Sequence, residues 1–354
     1  MSTLFRVDGS HKIGTGHVMR CIALAEALEK VGKKSIFVTR NYEHKIIELI
    51  RLYGFNAKII PKDSLLKEDA TLTLKIAKEY NVNLIVTDLC HSIHQKDLES
   101  YDRYLQVLNG SHIFLVVIDG TCKIKYSCDI LVDPYYGTEN RHYESFGKTI
   151  FLLGTKYFIF RKEFIEAAKS SREIKKDARN ILITMGGSDL YNITSKVVKA
   201  LKWLNIPNLN IRIVIGPCYA KLVEQKLERI LRDYKRNYEL IVGSKNIAEL
   251  MLWSDLAIIS GGLSKYETAV TGTPNIIISQ FACEAKINEG FEKAGTTLNL
   301  GLATDINEKD IQAAIKKLLD DHTLRIEMSK RCKDLVDGQG VSKIISKIPW
   351  SELS

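Results

Sequence analysis

Leu4-Phe5-Arg6-Val7 runs into Asp8-Gly9-Ser10-His11-Lys12-Ile13-Gly14-Thr15-Gly16-His17, and Val18-Met19-Arg20 follows. The stretch reads as a buried strand, a glycine-rich loop and the opening of a helix. Outward from it the same joint repeats. Strands are expected at Leu4–Val7, Lys34–Val38, Leu84–Thr87 and Ile113–Ile118, separated by helical patterns at His17–Val31, His44–Tyr53 and Ala70–Tyr80. A second series begins at Asn180–Thr184 and continues through Ile211–Ile215, Glu239–Val242, Leu256–Ile259 and Asn275–Ile278. Its helices fall at Thr194–Leu204, Tyr219–Tyr234, Ile247–Trp253 and Lys265–Thr271. Alternation of this kind specifies parallel sheets with helices on both faces.

Between the two series, at Ala167–Arg179, charged and small residues crowd together and the apolar pattern lapses. The expected organisation is therefore α/β, with two doubly wound Rossmann-like domains facing a cleft: residues 1–166, a hinge at 167–179, and residues 180–354. The last helix is expected to pack back on the first domain. Ligands of such sheets collect at the carboxyl ends of the strands, so the strand-to-helix loops are where chemistry belongs.

Three loops answer that description. In the first, Gly14 and Gly16 let backbone approach a ligand, and the helix start offers unpaired N–H groups to a phosphate. His17 falls on the first helical turn, where the positive end of the helix dipole disfavours imidazolium and keeps the ring able to accept a proton. Its plainer alternative is a loop-capping histidine; His11 reads as a surface loop residue. The second loop is Gly186-Gly187-Ser188-Asp189 with Asn192, paired glycines followed by capping residues. The third, Gly261-Gly262-Leu263-Ser264, feeds a helix that carries Glu267 one turn in. A carboxylate there can accept hydrogen bonds from a vicinal diol such as ribose. None of these loops has Walker spacing or the dinucleotide Gly-x-Gly-x-x-Gly pattern.

The bulk numbers fit a globular protein of two ordinary domains: 354 residues, 45% hydrophobic and 26% charged. No apolar run is long enough to span a membrane and no signal peptide is legible, so a cytoplasmic location is expected. The seven cysteines are an odd, scattered set with no Cys-x-x-Cys pair, which reads as small core residues in a reducing compartment. No metal-ligand spacing occurs; His91 and His94 come nearest and suit a surface better. The net charge of +9 is spread along amphipathic helices, as in Lys221 to Arg236, and argues for a solvated surface rather than nucleic-acid binding.

Ile13-Gly14-Thr15-Gly16-His17-Val18-Met19-Arg20 resembles the signature of the UDP-2,4-diacetamido-2,4,6-trideoxy-β-L-altropyranose hydrolases of pseudaminic acid synthesis, which the spore-coat polysaccharide proteins share. Leu152-Leu153-Gly154-Thr155-Lys156-Tyr157 with Arg161 and Phe164, Met185–Asp189 with Asn192, and Ser260-Gly261-Gly262 with Glu267 agree in register, from about Phe5 to Gly301. The resemblance implies a GT-B fold with UDP held mainly by the second domain. It implies His17 as general base and Glu267 as the ribose-binding carboxylate, with the Gly261–Ser264 turn on the diphosphate. It also puts Arg20, Tyr157 and Arg161 among the substrate-binding residues. The implied reaction needs no metal or cofactor, inverts the anomeric centre and releases UDP.

The chain departs from the family pattern at Asp88-Leu89-Cys90, at Gly120 after Asp119, at Val132-Asp133-Pro134 and around Ala282-Cys283-Glu284. Three of these lie in the first domain, so the nucleotide is better specified than the sugar. A glycosyltransferase on the same scaffold is the alternative reading, and a non-catalytic nucleotide-sugar-binding protein the second alternative. The sequence leaves the oligomeric state open.

Overall fold

A computed structural model describes residues 2–10, 13–89, 97–121, 123–204, 206–216, 219, 221–232, 237–244 and 246–353, and not the side chains of 221–224. His11, Cys90, His91, His94, Cys122 and Cys218 lie outside the described residues. The chain divides into two compact units: Met1–Arg161 with Gly338–Ser354, and Lys162–Asp337.

Unit 1 opens with β1 (Ser2–Val7), α1 (Gly16–Lys30), β2 (Lys34–Arg40), α2 (His44–Leu52), β3 (Asn56–Ile60), α3 (Leu66–Glu79) and β4 (Val82–Asp88). It continues with α4 (Leu98–Asn109), β5 (Phe114–Ile118), β6 (Lys125–Tyr126), β7 (Ile130–Asp133), β8 (Glu144–Ser145) and β9 (Ile150–Leu153). Among the described residues its main sheet is wholly parallel, in the order β3-β2-β1-β4-β5-β7-β9. Leu4, Ile85, Leu115, Val117 and Leu131 project from it into one core with Tyr101, Tyr104 and Leu105 of α4. The strands β3, β7 and β9 are additions to the sequence reading. The first was illegible because it is an edge: of Asn56–Ile60 only Ile60 is buried, so the apolar run that marks a central strand never forms.

The charge inside the first strand is accounted for by a four-membered network. Arg6, fully buried on β1, donates to Asp8 at 2.7 and 2.9 Å and through Nε to Asp69 of α3 at 2.8 Å. Arg40 at the end of β2 donates to Asp69 through Nε at 3.0 Å, and its backbone N–H donates to Asp8 at 2.9 Å. Two cations and two anions thus compensate one another beneath the first loop, which makes their burial tolerable.

Unit 2 contains α5 (Lys162–Ala168), β10 (Asn180–Thr184), α6 (Ile193–Trp203), β11 (Asn210–Ile215), α7 (Lys221–Arg232), β12 (Asn237–Val242) and α8 (Ile247–Trp253). Then come β13 (Leu256–Ser260), α9 (Ser264–Thr271), β14 (Asn275–Ser279), α10 (Ala282–Lys293), β15 (Leu298–Leu302), α11 (Glu308–Asp320) and α12 (His322–Leu335). This sheet is also parallel, ordered β12-β11-β10-β13-β14-β15. Strand β15 escaped the sequence reading because every residue of Leu298–Leu302 is only half-buried.

The lapse at 167–179 lies within unit 2, and the change of unit falls at Arg161/Lys162. Arginines tie the segment to the rest of the unit, one by its own side chain and one by gripping its backbone. Arg172 donates to Met251 O, Thr273 Oγ1 and Ser254 O, and Arg325 donates to Lys175 O and Lys176 O at 2.8 Å. After unit 2 the chain returns to unit 1 through α13 (Gly340–Ile345). Gly340 lies against the backbone of Tyr157 and Phe158, where any β-carbon would collide with the Phe158 carbonyl. Of the described cysteines Cys21, Cys128 and Cys332 are buried, as core residues should be, whereas Cys283 is exposed.

Candidate functional site

In each sheet the strand order reverses at one place, between β1 and β4 in unit 1 and between β10 and β13 in unit 2. Loops leaving the two strands at such a switch point diverge to opposite faces and open a crevice at their carboxyl ends. All three glycine-rich loops singled out in the sequence leave a strand that borders a switch point.

In unit 1 the loop after β1 is closed by Gly14 N–H on Ser10 O at 2.7 Å and by Ile13 N–H on Ser10 Oγ at 3.1 Å. Gly14 takes a left-handed backbone (φ 81°), and Gly16 begins α1. Thr15, the residue before the helix, makes no side-chain cap. His17 sits on the first turn. Its Nδ1 lies 2.7 Å from Oδ1 of Asp88, the last residue of β4.

Arg20, one turn further, grips Asp88 through Nε and Nη2, each at 2.5 Å, and donates from Nη1 to the Tyr135 hydroxyl at 2.7 Å. Burial alone would raise the Asp88 carboxyl, but Arg20 and His17 hold it well below the usual carboxylate range. An ionised Asp88 accepts from Nδ1–H, and that tautomer puts the lone pair of the ring on Nε2. Sequence reading placed only a helix end beside His17. The structure adds a carboxylate and a guanidinium of opposite sign, and the carboxylate orients the ring.

The rest of this strand-end layer is polar and buried. Asp119, after β5, accepts from Thr121 Oγ1 at 2.8 Å and Tyr126 OH at 2.7 Å. Asp133, at the end of β7, accepts from Tyr143 OH at 2.7 Å, and burial pushes its carboxyl up to about 6. A side chain at Gly120 would press on both the Asp133 carboxylate and Tyr135 at 3.2–3.3 Å. Tyr157 and Arg161 are half-buried at the other end of unit 1's first segment, Tyr157 in a single 3-10 turn, Thr155–Tyr157.

In unit 2 the loops after β10 and β13 touch each other. Ser260 Oγ donates to Met185 O at 3.0 Å, and a β-carbon at Gly186 would lie 3.6 Å from Ser260 Oγ and 3.9 Å from Ser264 Oγ. Gly187 is exposed and has open space around it. The two carboxylate oxygens of Asp189 accept the N–H groups of Ile193 and Thr194 at 2.7 and 2.8 Å. It caps α6. Ser188 O is held by Gln280 Nε2 at 2.9 Å, and Gln280 Oε1 accepts from Leu190 N–H at 2.9 Å. Gln280 thus braces the second loop, a role no local pattern announces.

At the third loop Gly261 has no room for a side chain, because Asn288 and Ser279 fill the space a β-carbon needs. Leu263 is exposed, Ser264 is buried at the start of α9, and Glu267 is half-buried on its first turn. Lys265, which the sequence reading passed over, is buried behind the turn. It lies in a helix whose other residues are nearly all buried. Among the described residues no group of three or more His, Cys, Asp or Glu side chains could hold a metal ion. Nor is any helix among them long and apolar enough to cross a membrane.

Residues 157–283 match the family of lipid-A-disaccharide synthetase (LpxB). Over 340 residues the chain is 26% identical to the spore coat polysaccharide biosynthesis protein SpsG of Bacillus subtilis, covering 95% of this chain and 94% of that protein. Over 262 residues it is 27% identical to the UDP-2,4-diacetamido-2,4,6-trideoxy-beta-L-altropyranose hydrolase of Campylobacter jejuni, covering 73% of this chain and 85% of the hydrolase. Among solved structures, Acinetobacter baumannii MurG superposes with a TM-score of 0.71 at 13% identity, over 98% of this chain and 100% of that one. The chain is therefore a relative of the spore-coat protein and of the altropyranose hydrolase, built on the α/β GT-B fold that the sequence resemblance implied.

Proposed function

We propose that the chain is an enzyme of glycan biosynthesis that hydrolyses a UDP-linked 2,4-diacetamido-2,4,6-trideoxy sugar of the altropyranose type to free sugar and UDP. The observation that carries this reading is the His17–Asp88 pair at the unit 1 switch point, backed by the similarity to the named hydrolase. Asp88 holds Nδ1–H, so His17 can take a proton from water through Nε2 as the water attacks the sugar C1. The C1–O bond to the diphosphate breaks as the C1–O bond to water forms, with inversion. Negative charge then grows on UDP, and backbone N–H groups of glycine-rich turns and helix starts are suited to receive it. In this reading no metal ion takes part, and Arg20 acts by fixing Asp88 and Tyr135.

The test is incubation with a panel of UDP-sugars in excess chelator and without acceptor, following release of UDP. Release from a diacetamido-trideoxy sugar is expected. Release that requires an added acceptor would favour a second reading, a glycosyltransferase, for which the match of residues 157–283 to a synthetase family speaks.

A further inference from the structure

Lys265 is the second residue of α9 and lies directly behind the Gly261–Gly262 turn. Its Nζ donates to Gly261 O at 3.0 Å and to Oδ1 of Asn288 on α10 at 2.9 Å. Asn288 Nδ2 in turn donates to Ser279 Oγ, at the end of β14, at 2.9 Å. The side chain is only 6% exposed, and the rings of Tyr266 and Phe291 lie 5.6 and 5.0 Å from Nζ.

Among the described residues no carboxylate reaches ion-pair distance of this ammonium. The charged or titratable groups that bear on it from α10 are Glu284 and Cys283. Burial draws its pKa down to about 8, a shift those two groups only partly oppose. A buried cation without a contacting anion is costly, and an apolar residue would fill the same space without that cost.

The geometry says what the cation accomplishes. The Gly261–Gly262 peptide is trans, so its C=O and N–H point in opposite directions. With the carbonyl tied to Nζ, the Gly262 N–H is directed away from Lys265, and it has no protein acceptor among the described residues. Asn288 and Ser279 fix the same peptide from below by occupying the space beside Gly261.

We infer that Lys265 is a positioning residue for a nucleoside diphosphate: it turns the Gly262 N–H away from itself and places a positive charge behind the peptide that meets the phosphate. The inference rests on the reading that unit 2 holds the UDP moiety. It carries a signature that a merely structural lysine lacks. Phosphate nearby favours the charged amine, so the free protein must take up a proton on binding wherever Lys265 is already partly neutral. UDP affinity therefore falls as pH rises through the amine's titration.

The experiment is titration calorimetry of the full chain with UDP, in two buffers of different ionisation heat, between about pH 7.5 and 8.5. That range lies above the titration of the terminal phosphate near ~6. The expected result is proton uptake that grows across the range, with falling affinity. Lys265→Met should weaken UDP binding by about tenfold or more at neutral pH and abolish the uptake. Cys283→Ser, which removes the thiol of α10 that bears on Lys265, should keep both. Binding by the wild-type protein without proton uptake overturns the assignment, and so does Lys265→Met with unchanged affinity. The wild-type measurement decides the matter even where the variant fails to fold. A wild-type chain that binds no UDP at all defeats the nucleotide reading itself, an outcome distinct from either.

Discussion

The two units have the same construction and opposite chemistry at its critical point. Each is a parallel sheet whose order reverses once, and each places glycine-rich loops at the reversal. At the reversal in unit 1 stand His17, Asp88, Arg20 and Tyr135, side chains that can move or hold a proton. At the reversal in unit 2 the side chains turn inward and serve the backbone. Asp189 caps a helix, Gln280 braces a loop, and Lys265 anchors a peptide. What unit 2 presents to an anion is main chain. A fold fixes where a site lies, and the residues at that place fix what it does. The proposed function assigns the rate to unit 1 and nucleotide affinity to unit 2, a division that substitutions can break.

The largest expected effect is on the rate. His17→Ala should lower turnover by about a hundred- to ten-thousand-fold, the usual contribution of a general base, while UDP affinity stays near wild type. Release of UDP followed at saturating substrate, beside a binding titration, separates the two. A variant with near wild-type turnover removes His17 from the chemistry. A variant that loses UDP affinity as well would erase the distinction between the units.

That distinction was partly legible in the sequence. The strand-to-helix joints were, because Leu4–Val7, Asn180–Thr184 and Leu256–Ile259 are largely apolar runs with a glycine two residues beyond their ends, the local signature of a buried parallel strand meeting a loop. Strand order was not, since it is set by which strands pair, and pairing leaves no mark on a single run of residues. The partnership of His17 with Asp88 was hidden for that reason: the two are 71 residues apart and meet only because β4 lies beside β1. Edge and half-buried strands such as β3 and β15 were illegible because they lack a continuous apolar run. In the second loop, Asp189 looked like a ligand group by its place after two glycines. A carboxylate preceding a helix has another use, and the capping bonds take both of its oxygens.

A smaller effect is expected in unit 2. Glu267→Ala should weaken UDP binding by about 1.5–3 kcal/mol, the range for hydrogen bonds to a charged group, with little change in turnover at saturation. Calorimetry with UDP measures the first and product release the second. Unchanged affinity would leave Glu267 as an ordinary residue of the first turn of α9. Lost turnover at saturating substrate would assign unit 2 a share in the chemical step.

The smallest effect sharpens the comparison most, because it concerns a residue that sits in the nucleotide loops yet serves the fold. Asp189 is 5% exposed, and its oxygens receive the Ile193 and Thr194 N–H groups, two of the donors at the start of α6 that have no partner within the helix. Removing such a cap costs about 0.5–2 kcal/mol of stability, towards the upper end where both donors are left buried. Asp189→Ala is thus expected to lower the midpoint of thermal or urea unfolding while the folded protein keeps its UDP affinity. Asp189→Ser, which can still accept one N–H, should recover part of the lost stability. The loop itself should hold, because Gln280 fixes Ser188 O and Leu190 N–H independently of the cap. If Asp189→Ala instead weakens UDP binding several-fold without lowering the unfolding midpoint, the carboxylate reaches the nucleotide. A side chain would then meet the phosphates as Glu267 is expected to meet the ribose, and the contrast with unit 1 would rest on the absence of a base rather than on the use of main chain.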